Sequence, residues 1–280
     1  MRLLDSINYF LSLFLETLSQ VKRGRIWSLL LAYFALQWLV LFAHDRFYSP
    51  AFFGVIHLWV NAIDSQNAVG FMHYPGHFAV LPYFFGWAKF VVSALLEGSV
   101  LGAVSILFYR GLPGDNARPK VNSAQMPFLW LQLTLAWLAI NGLILLANLY
   151  LPALLSPLLT NSPRRIIVFQ YLFMPGLYIV IVALFYFSIS YCALYGASVW
   201  TALKRSLQIF WNRPIMCLCL AAVILAAPVL MSIIGQQQNI IINKFYPELM
   251  YWVLVVGLAV DAVVYFFWMG TAVRFLSDQE

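Results

Sequence analysis

Six long apolar stretches joined by short polar connectors constrain this chain more than any other feature. They run over about residues 26–43, 83–109, 127–149, 166–191, 215–234 and 250–273. A helix crosses roughly 30 Å of hydrocarbon with about 20 apolar residues, and each stretch is long enough to do so. Of the 280 residues, 63% are hydrophobic and only 9% are charged, whereas a soluble domain carries about 25% charged residues. So few charges cannot coat a soluble surface of this size. The expected fold is an all-α integral membrane protein of six transmembrane helices, read as a single polytopic domain over 1–280. The second stretch is long and carries Lys89 and Glu97, yet no turn former interrupts it after Pro82, so it reads as one tilted helix.

The same composition excludes a disordered chain, a coiled coil and a disulfide-built secreted domain. The net charge of +6 does not imply a nucleic-acid partner, because the basic residues sit in short connectors where they set topology. With the N-terminus inside, Arg2, Lys22, Arg23, Arg25, Arg110, Arg118, Lys120, Lys204, Arg205, Arg213 and Arg274 fall on the cytoplasmic side. Only Arg46, Arg164, Arg165 and Lys244 fall opposite, and Lys89 is within a span. That bias places both termini in the cytoplasm of a cell (inner) membrane protein. The Arg164–Arg165 pair is the one signal against it. Asp5, Asn8, Ser12 and Glu16 interrupt the N-terminal apolar residues, so this segment does not read as a signal peptide. Cys192, Cys217 and Cys219 lie in apolar runs and read as packing residues.

Two amphipathic segments precede spans. Residues 3–21 set Leu3, Leu4, Ile7, Phe10, Leu11, Phe14, Leu15, Leu18 and Val21 against Asp5, Asn8, Ser12, Glu16, Ser19 and Gln20. Residues 197–212 set Trp200, Leu203, Leu207, Phe210 and Trp211 against Thr201, Lys204, Arg205, Gln208 and Asn212. Both predict helices lying in the cytoplasmic interface. Aligning 18–30 on 207–219 suggests two related units of interfacial helix plus span. Between the first two spans, 51–63 is apolar but too short to cross, and predicts an interfacial or re-entrant helix. The connector 111–126 reads as a solvated loop rich in turn formers.

Gly196-Ala197, Ala202-Leu203-Lys204-Arg205-Ser206 and Asn212-Arg213-Pro214 before an apolar span resemble a poorly characterised family. These are six-span bacterial membrane proteins similar to the membrane domain attached to some glycerophosphodiester phosphodiesterases. The similarity is best over about 190–235. It implies six helices and an unassigned role, and it supplies no catalytic residues; this chain carries no phosphodiesterase domain from which that activity could follow.

Polar residues inside spans are costly and mark candidate sites. Glu97 falls near the centre of the second span and Asp261 near the middle of the sixth; Asn141 is inside the third. Lys89, about two turns outward from Glu97, has the length to snorkel to the outer interface. Glu97 and Asp261 could line a path as proton or cation sites, or act as hydrogen-bonded glue between helices. Ala94, Gly98 and Gly102 form a small-residue stripe beside Glu97 that favours close helix packing. Pro175–Gly176 and Pro228 are expected to kink their spans.

All four histidines fall on the non-cytoplasmic side: His44, His57, His73 and His77. The Pro–Gly turn in His73-Tyr-Pro-Gly-His77 could bring two imidazoles together, with Asp45 and Asp64 near in sequence, as ligands for a metal or haem on the outer face. The chain has no nucleophile elbow, Walker loop, zinc-protease motif or C-x-x-C pair. The leading expectation is therefore a non-enzymatic accessory or assembly subunit contacting membrane lipids and other membrane proteins. A transporter or permease component using Glu97 and Asp261 is the first alternative, and an outer-face metal or haem protein using His73 and His77 the second.

Overall fold

The computed structural model describes residues 3–112, 126–159 and 162–279, and every regular element among them is helical. Helix α1 (Leu3–Ser19) leads through a basic turn into α2 (Gly24–Asp45). Helices α3 (Pro50–Ile63) and α4 (Ser65–Phe71) fill the connector before α5 (Gly76–Tyr109). Next comes α6 (Met126–Leu159); then α7 (Pro163–Val168), a π-helical turn (Phe169–Phe173), α8 (Met174–Phe185) and α9 (Ser188–Tyr195) follow in one run. Helices α10 (Val199–Asn212), α11 (Pro214–Gln236), α12 (Gln238–Lys244) and α13 (Leu249–Ser277) complete the chain.

Six helical segments are long and apolar enough to cross a membrane: Gly24–Asp45, Gly76–Tyr109, Phe128–Leu159, Pro163–Tyr195, Pro214–Gln236 and Leu249–Ser277. The protein is an all-α multi-pass membrane protein. The second span is one helix, with Pro82 inside it, and starts seven residues before the expected boundary. The third runs ten residues beyond its expected end, through Pro152 and Pro157. Proline in a membrane helix is tolerated where neighbouring groups take up the freed backbone carbonyl. The connector 111–126 lies outside the described residues except at its ends.

The fourth span departs most from expectation. Pro175 has no N–H to give, and the chain adapts one residue earlier, where the Met174 amide reaches back five residues to the Phe169 carbonyl. A second break falls at Tyr186–Phe187, between α8 and α9. Here Ser206 of α10 repairs the ladder: its hydroxyl accepts from the Phe187 amide (3.3 Å) and donates to the Leu184 carbonyl (2.9 Å). The Trp268 indole donates to the Tyr186 carbonyl (3.0 Å). An interruption in the span is stable because side chains satisfy the groups that it frees. Replacing the buried Ser206 with alanine is expected to cost about 1–3 kcal/mol, the cost of leaving buried polar groups unpaired. Denaturation of the purified protein in mixed micelles measures it, and an unchanged midpoint would show that packing alone holds the break.

The chain divides into two compact units. The first comprises residues 1–29, 94–226 and 264–280. Its core contains Leu101, Val104, Phe108, Leu133, Tyr186, Phe187, Phe266, Met269 and Phe275. Along α1 and the turn after it the buried stripe is Leu13, Thr17 and Gln20, while Leu11, Leu15 and Leu18 are exposed; Gln20, expected on the polar side, is thus buried. Glu16 and Arg274 pair at 2.5 Å, and Arg274 also donates to the Glu16 carbonyl (2.7 Å), fastening α1 to α13. In α10 the buried residues are Ala202, Ser206 and Ile209, whereas Trp200 and Trp211 are exposed. The packed side is thus the one with Ala202, Ser206 and Ile209, and not the one with the two indoles. Small side chains admit the close contact with α8 and α9, and indoles suit a membrane interface. Cys192 and Cys217 are buried, but Cys219 is exposed, which corrects its reading as a packing residue.

The second unit comprises residues 30–93 and 227–263. Its core is aromatic and aliphatic: Leu41, Ile56, Val60, Phe71, Phe78, Leu81, Phe84, Phe85, Met250 and Leu258. Helix α3, expected at the interface, places Ile56 and Val60 in this core.

Candidate functional site

The second unit holds a cavity of about 680 Å³. Its walls are aromatic, with Trp38, Phe42, Phe47, Tyr251 and Trp252 among the lining residues. The Trp38 indole donates to the Tyr251 hydroxyl (2.8 Å), which ties α2 to α13 within this unit. Set into those walls are Asp45, Arg46, Tyr74, His77 and Glu248. Volume and lining suit a small molecule or the head of an amphiphile, since ligand pockets span about 300–1,000 Å³ and combine apolar walls with few polar groups.

Arg46 follows the last turn of α2. Its Nε lies 3.6 Å from Asp45, its Nη1 donates to the Tyr48 hydroxyl, and its guanidinium sits over the Phe42 and Tyr48 rings at 5.9 and 6.0 Å. It remains half exposed, and a guanidinium carries five N–H donors. Glu248 accepts from the Tyr74 hydroxyl (3.3 Å). The Tyr74 phenol has a raised pKa, first from desolvation and then from the adjacent Glu248 carboxylate. The peptide between Tyr74 and Pro75 is cis.

The His73–His77 turn does not unite its imidazoles in one site. His73 is exposed, and its carbonyl accepts from the His77 amide (2.7 Å). His77, only 4% exposed, packs its ring on Phe71 and Phe47 at 4.5 and 4.7 Å between ring centres. His44 is also buried, edge-on to Phe71 and Phe85. Each ring uses Nδ1 for a backbone carbonyl, His44 for Val40 (2.8 Å) and His77 for Phe71 (3.1 Å). A carbonyl only accepts, so Nδ1 carries the proton and Nε2 of the neutral ring is an acceptor. Neither Nε2 has a hydrogen-bond partner among the described residues. His57 is exposed and stacks on Phe53. Among the described residues no three His, Cys, Asp or Glu side chains converge in a metal-holding group.

The two aspartates expected near the histidines are otherwise engaged. Asp45 faces Arg46. Asp64 caps α4, accepting from the Gln66 and Asn67 amides (3.0 and 3.2 Å) and from the Asn67 side chain (2.7 Å). Those donors hold its pKa below the ordinary carboxylate value, the Asn67 amide first. A depressed folded-state pKa means that the cap stabilises α4 fully at neutral pH and is lost as pH falls through that depressed value. Asp64→Ala is therefore expected to lower the thermal midpoint at neutral pH, with wild type and variant converging only in strong acid. A constant difference at every pH would sink the assignment.

Lys89 does not snorkel: its Nζ meets the Asp261 carboxylate at 2.5 Å, within the second unit. Glu97 is buried in the first unit, so the two carboxylates belong to different units. Asn141 is half-buried and donates to the Trp137 carbonyl one turn back (3.3 Å), a local role. Along the small-residue stripe, Gly98 and Gly102 lie against Leu133 of α6. A Cβ on Gly98 would fall 2.5 Å from the Leu133 carbonyl oxygen, and one on Gly102 2.6 Å from the Leu133 side chain. Ala94 is half-buried at the start of the stripe.

Sequence reasoning passed over two groups. Gln37, within the first span, donates to the Tyr33 hydroxyl (2.8 Å) and to Ser93 (3.1 Å) in a buried polar cluster. Arg46 and Glu248 were counted only for topology or not at all, although each sits in an aromatic run outside the hydrocarbon stretches, Arg46-Phe-Tyr and Phe245-Tyr-Pro-Glu248. Comparison with family models, curated proteins and solved structures finds no match for this chain.

Proposed function

We propose that this is a non-enzymatic, membrane-embedded accessory or assembly subunit, with both termini on the cytoplasmic side of a bacterial inner membrane. One observation carries the reading. The helical arm formed by the C-terminal half of α6, α7 and the π-helical turn has no fully buried residue among those described between 141 and 173. Only 6% of the third span's most apolar window is buried. The arm is not purely greasy: Asn148 accepts from the Tyr178 hydroxyl, and Arg164 and Arg165 are exposed at its tip. A pair of helices that covers little of its own chain, yet presents polar groups beside leucines, suits helix association within the bilayer.

A photo-crosslinking residue at Leu146, Leu154 or Leu172 tests this in native membranes, followed by gentle extraction and mass spectrometry. Crosslinks to one defined membrane protein, absent from a control at exposed Leu31, support the reading. Lipid adducts alone at all three positions would overturn it. The transport alternative draws less support, because Lys89 already matches the Asp261 charge. Unchanged flux in Glu97→Gln and Asp261→Asn would close it.

A further inference from the structure

The cavity of the second unit presents an aromatic corner beside a carboxylate that has no ion pair. The Trp38 indole is fixed by its hydrogen bond to the Tyr251 hydroxyl (2.8 Å). The Tyr251 and Trp252 rings stand nearly perpendicular, at 82° with their centres 5.4 Å apart. All three rings line the cavity, and Trp38 and Trp252 remain accessible, 41% and 59% exposed. Glu248, one turn before Trp252, lines it too, and its carboxylate accepts from the Tyr74 hydroxyl (3.3 Å). The charges of this lining do not balance. Arg46 is the ion-pair partner of Asp45, whereas Glu248 is exposed and has no ion pair among the described residues. Asp45, Arg46 and Glu248 together thus leave one negative charge in excess.

These groups select a cation of one kind. A metal ion needs several ligands to replace its water, and no three His, Cys, Asp or Glu side chains converge for it among the described residues. Aromatic faces favour instead an organic cation, whose alkyl substituents they also cover. Arg46 shows that the same walls accept one, its guanidinium standing over the Phe42 and Tyr48 rings at 5.9 and 6.0 Å. We propose that the cavity binds an organic ammonium group, its charge beside Glu248 and its alkyl substituents against Trp38, Tyr251 and Trp252. A volume of about 680 Å³ admits that group as a free solute or as the head of a lipid. The assignment is independent of the accessory-subunit reading.

Calorimetry on the full-length protein in maltoside micelles, which contain no ammonium, compares choline with 3,3-dimethylbutan-1-ol, its uncharged carbon analogue of the same shape. Wild type is expected to bind choline saturably and about tenfold more tightly than the alcohol, the scale of a cation–aromatic contact together with an exposed ion pair. Equal affinities, or no saturable choline binding, overturn the proposal without recourse to any variant. Glu248→Gln, which keeps an acceptor for Tyr74, is expected to weaken choline binding about fivefold and to leave the alcohol unchanged. Trp252→Leu is expected to weaken both. Choline affinity untouched by Glu248→Gln, in a variant with the thermal midpoint of wild type, would overturn the site. Phosphocholine lipid mixed into the micelles separates the two sources of the group. Choline affinity lowered by this competitor assigns the ammonium to a lipid head, and affinity left unchanged assigns it to a free solute.

Discussion

Gly98→Leu is expected to abolish the close packing of α5 against α6 and to leave little protein that survives extraction as a folded monodisperse species. The reason is local. A Cβ at this position meets the Leu133 carbonyl oxygen at 2.5 Å and its carbon at 2.8 Å. A backbone carbonyl cannot rotate aside as a flexible side chain could, so the helices must separate. Overpacking costs about 1–3 kcal/mol even in cores that can relax, and alanine here already meets the same clash. Gly142→Ala supplies the contrast, since a Cβ there meets nothing within 4 Å. Its expected effect is a small gain, up to about 1 kcal/mol from helix propensity. Unfolding in mixed micelles measures both variants. If Gly98→Ala proved as stable as wild type, the close approach would be no constraint.

The second large effect concerns Lys89 and Asp261. Each single neutralisation, Lys89→Met or Asp261→Leu, leaves one charge in mid-span without its partner. Insertion scales put a central charge at about 2.5–3.5 kcal/mol, and breaking a buried pair at about 3–5 kcal/mol. The side chains are 32% and 19% exposed, so screening and relaxation reduce the loss to about 2 kcal/mol. The double variant is expected to recover most of it, because two apolar side chains of similar bulk remove both desolvation costs. A double-mutant cycle on unfolding free energies reads the coupling directly. Additive losses, with no recovery in the double variant, would mean that the two residues act independently.

Both predictions start from residues that stand out in the sequence, but they were legible to different depths. The Gly98–Gly102 stripe announces close packing by spacing alone, because four residues return a helix to nearly the same face. What it meets, the Leu133 carbonyl, depends on how α6 is placed. Lys89 and Asp261 announce their cost by lying in apolar runs, yet lie far apart in the chain. Snorkelling and pairing satisfy a lysine equally well in principle, and only the neighbouring helix selects between them. The histidines show the same limit. Their spacing suggested convergence around a turn, but packing on Phe47 and Phe71 separates buried His77 from exposed His73.

The membrane solvent, the six spans and the amphipathic helices were determined by the sequence itself. Hydrocarbon thickness fixes a length, water fixes a composition, and a helix fixes a period, so each can be read along one dimension. The break at Tyr186–Phe187, the joining of α1 to α13 and the aromatic lining of the cavity were decided by tertiary structure. Each depends on one side chain reaching a group far along the chain: Ser206 for Phe187, Arg274 for Glu16, Trp38 for Tyr251. A one-dimensional pattern states that a polar group must find a partner, and only the fold determines which partner comes within about 3 Å.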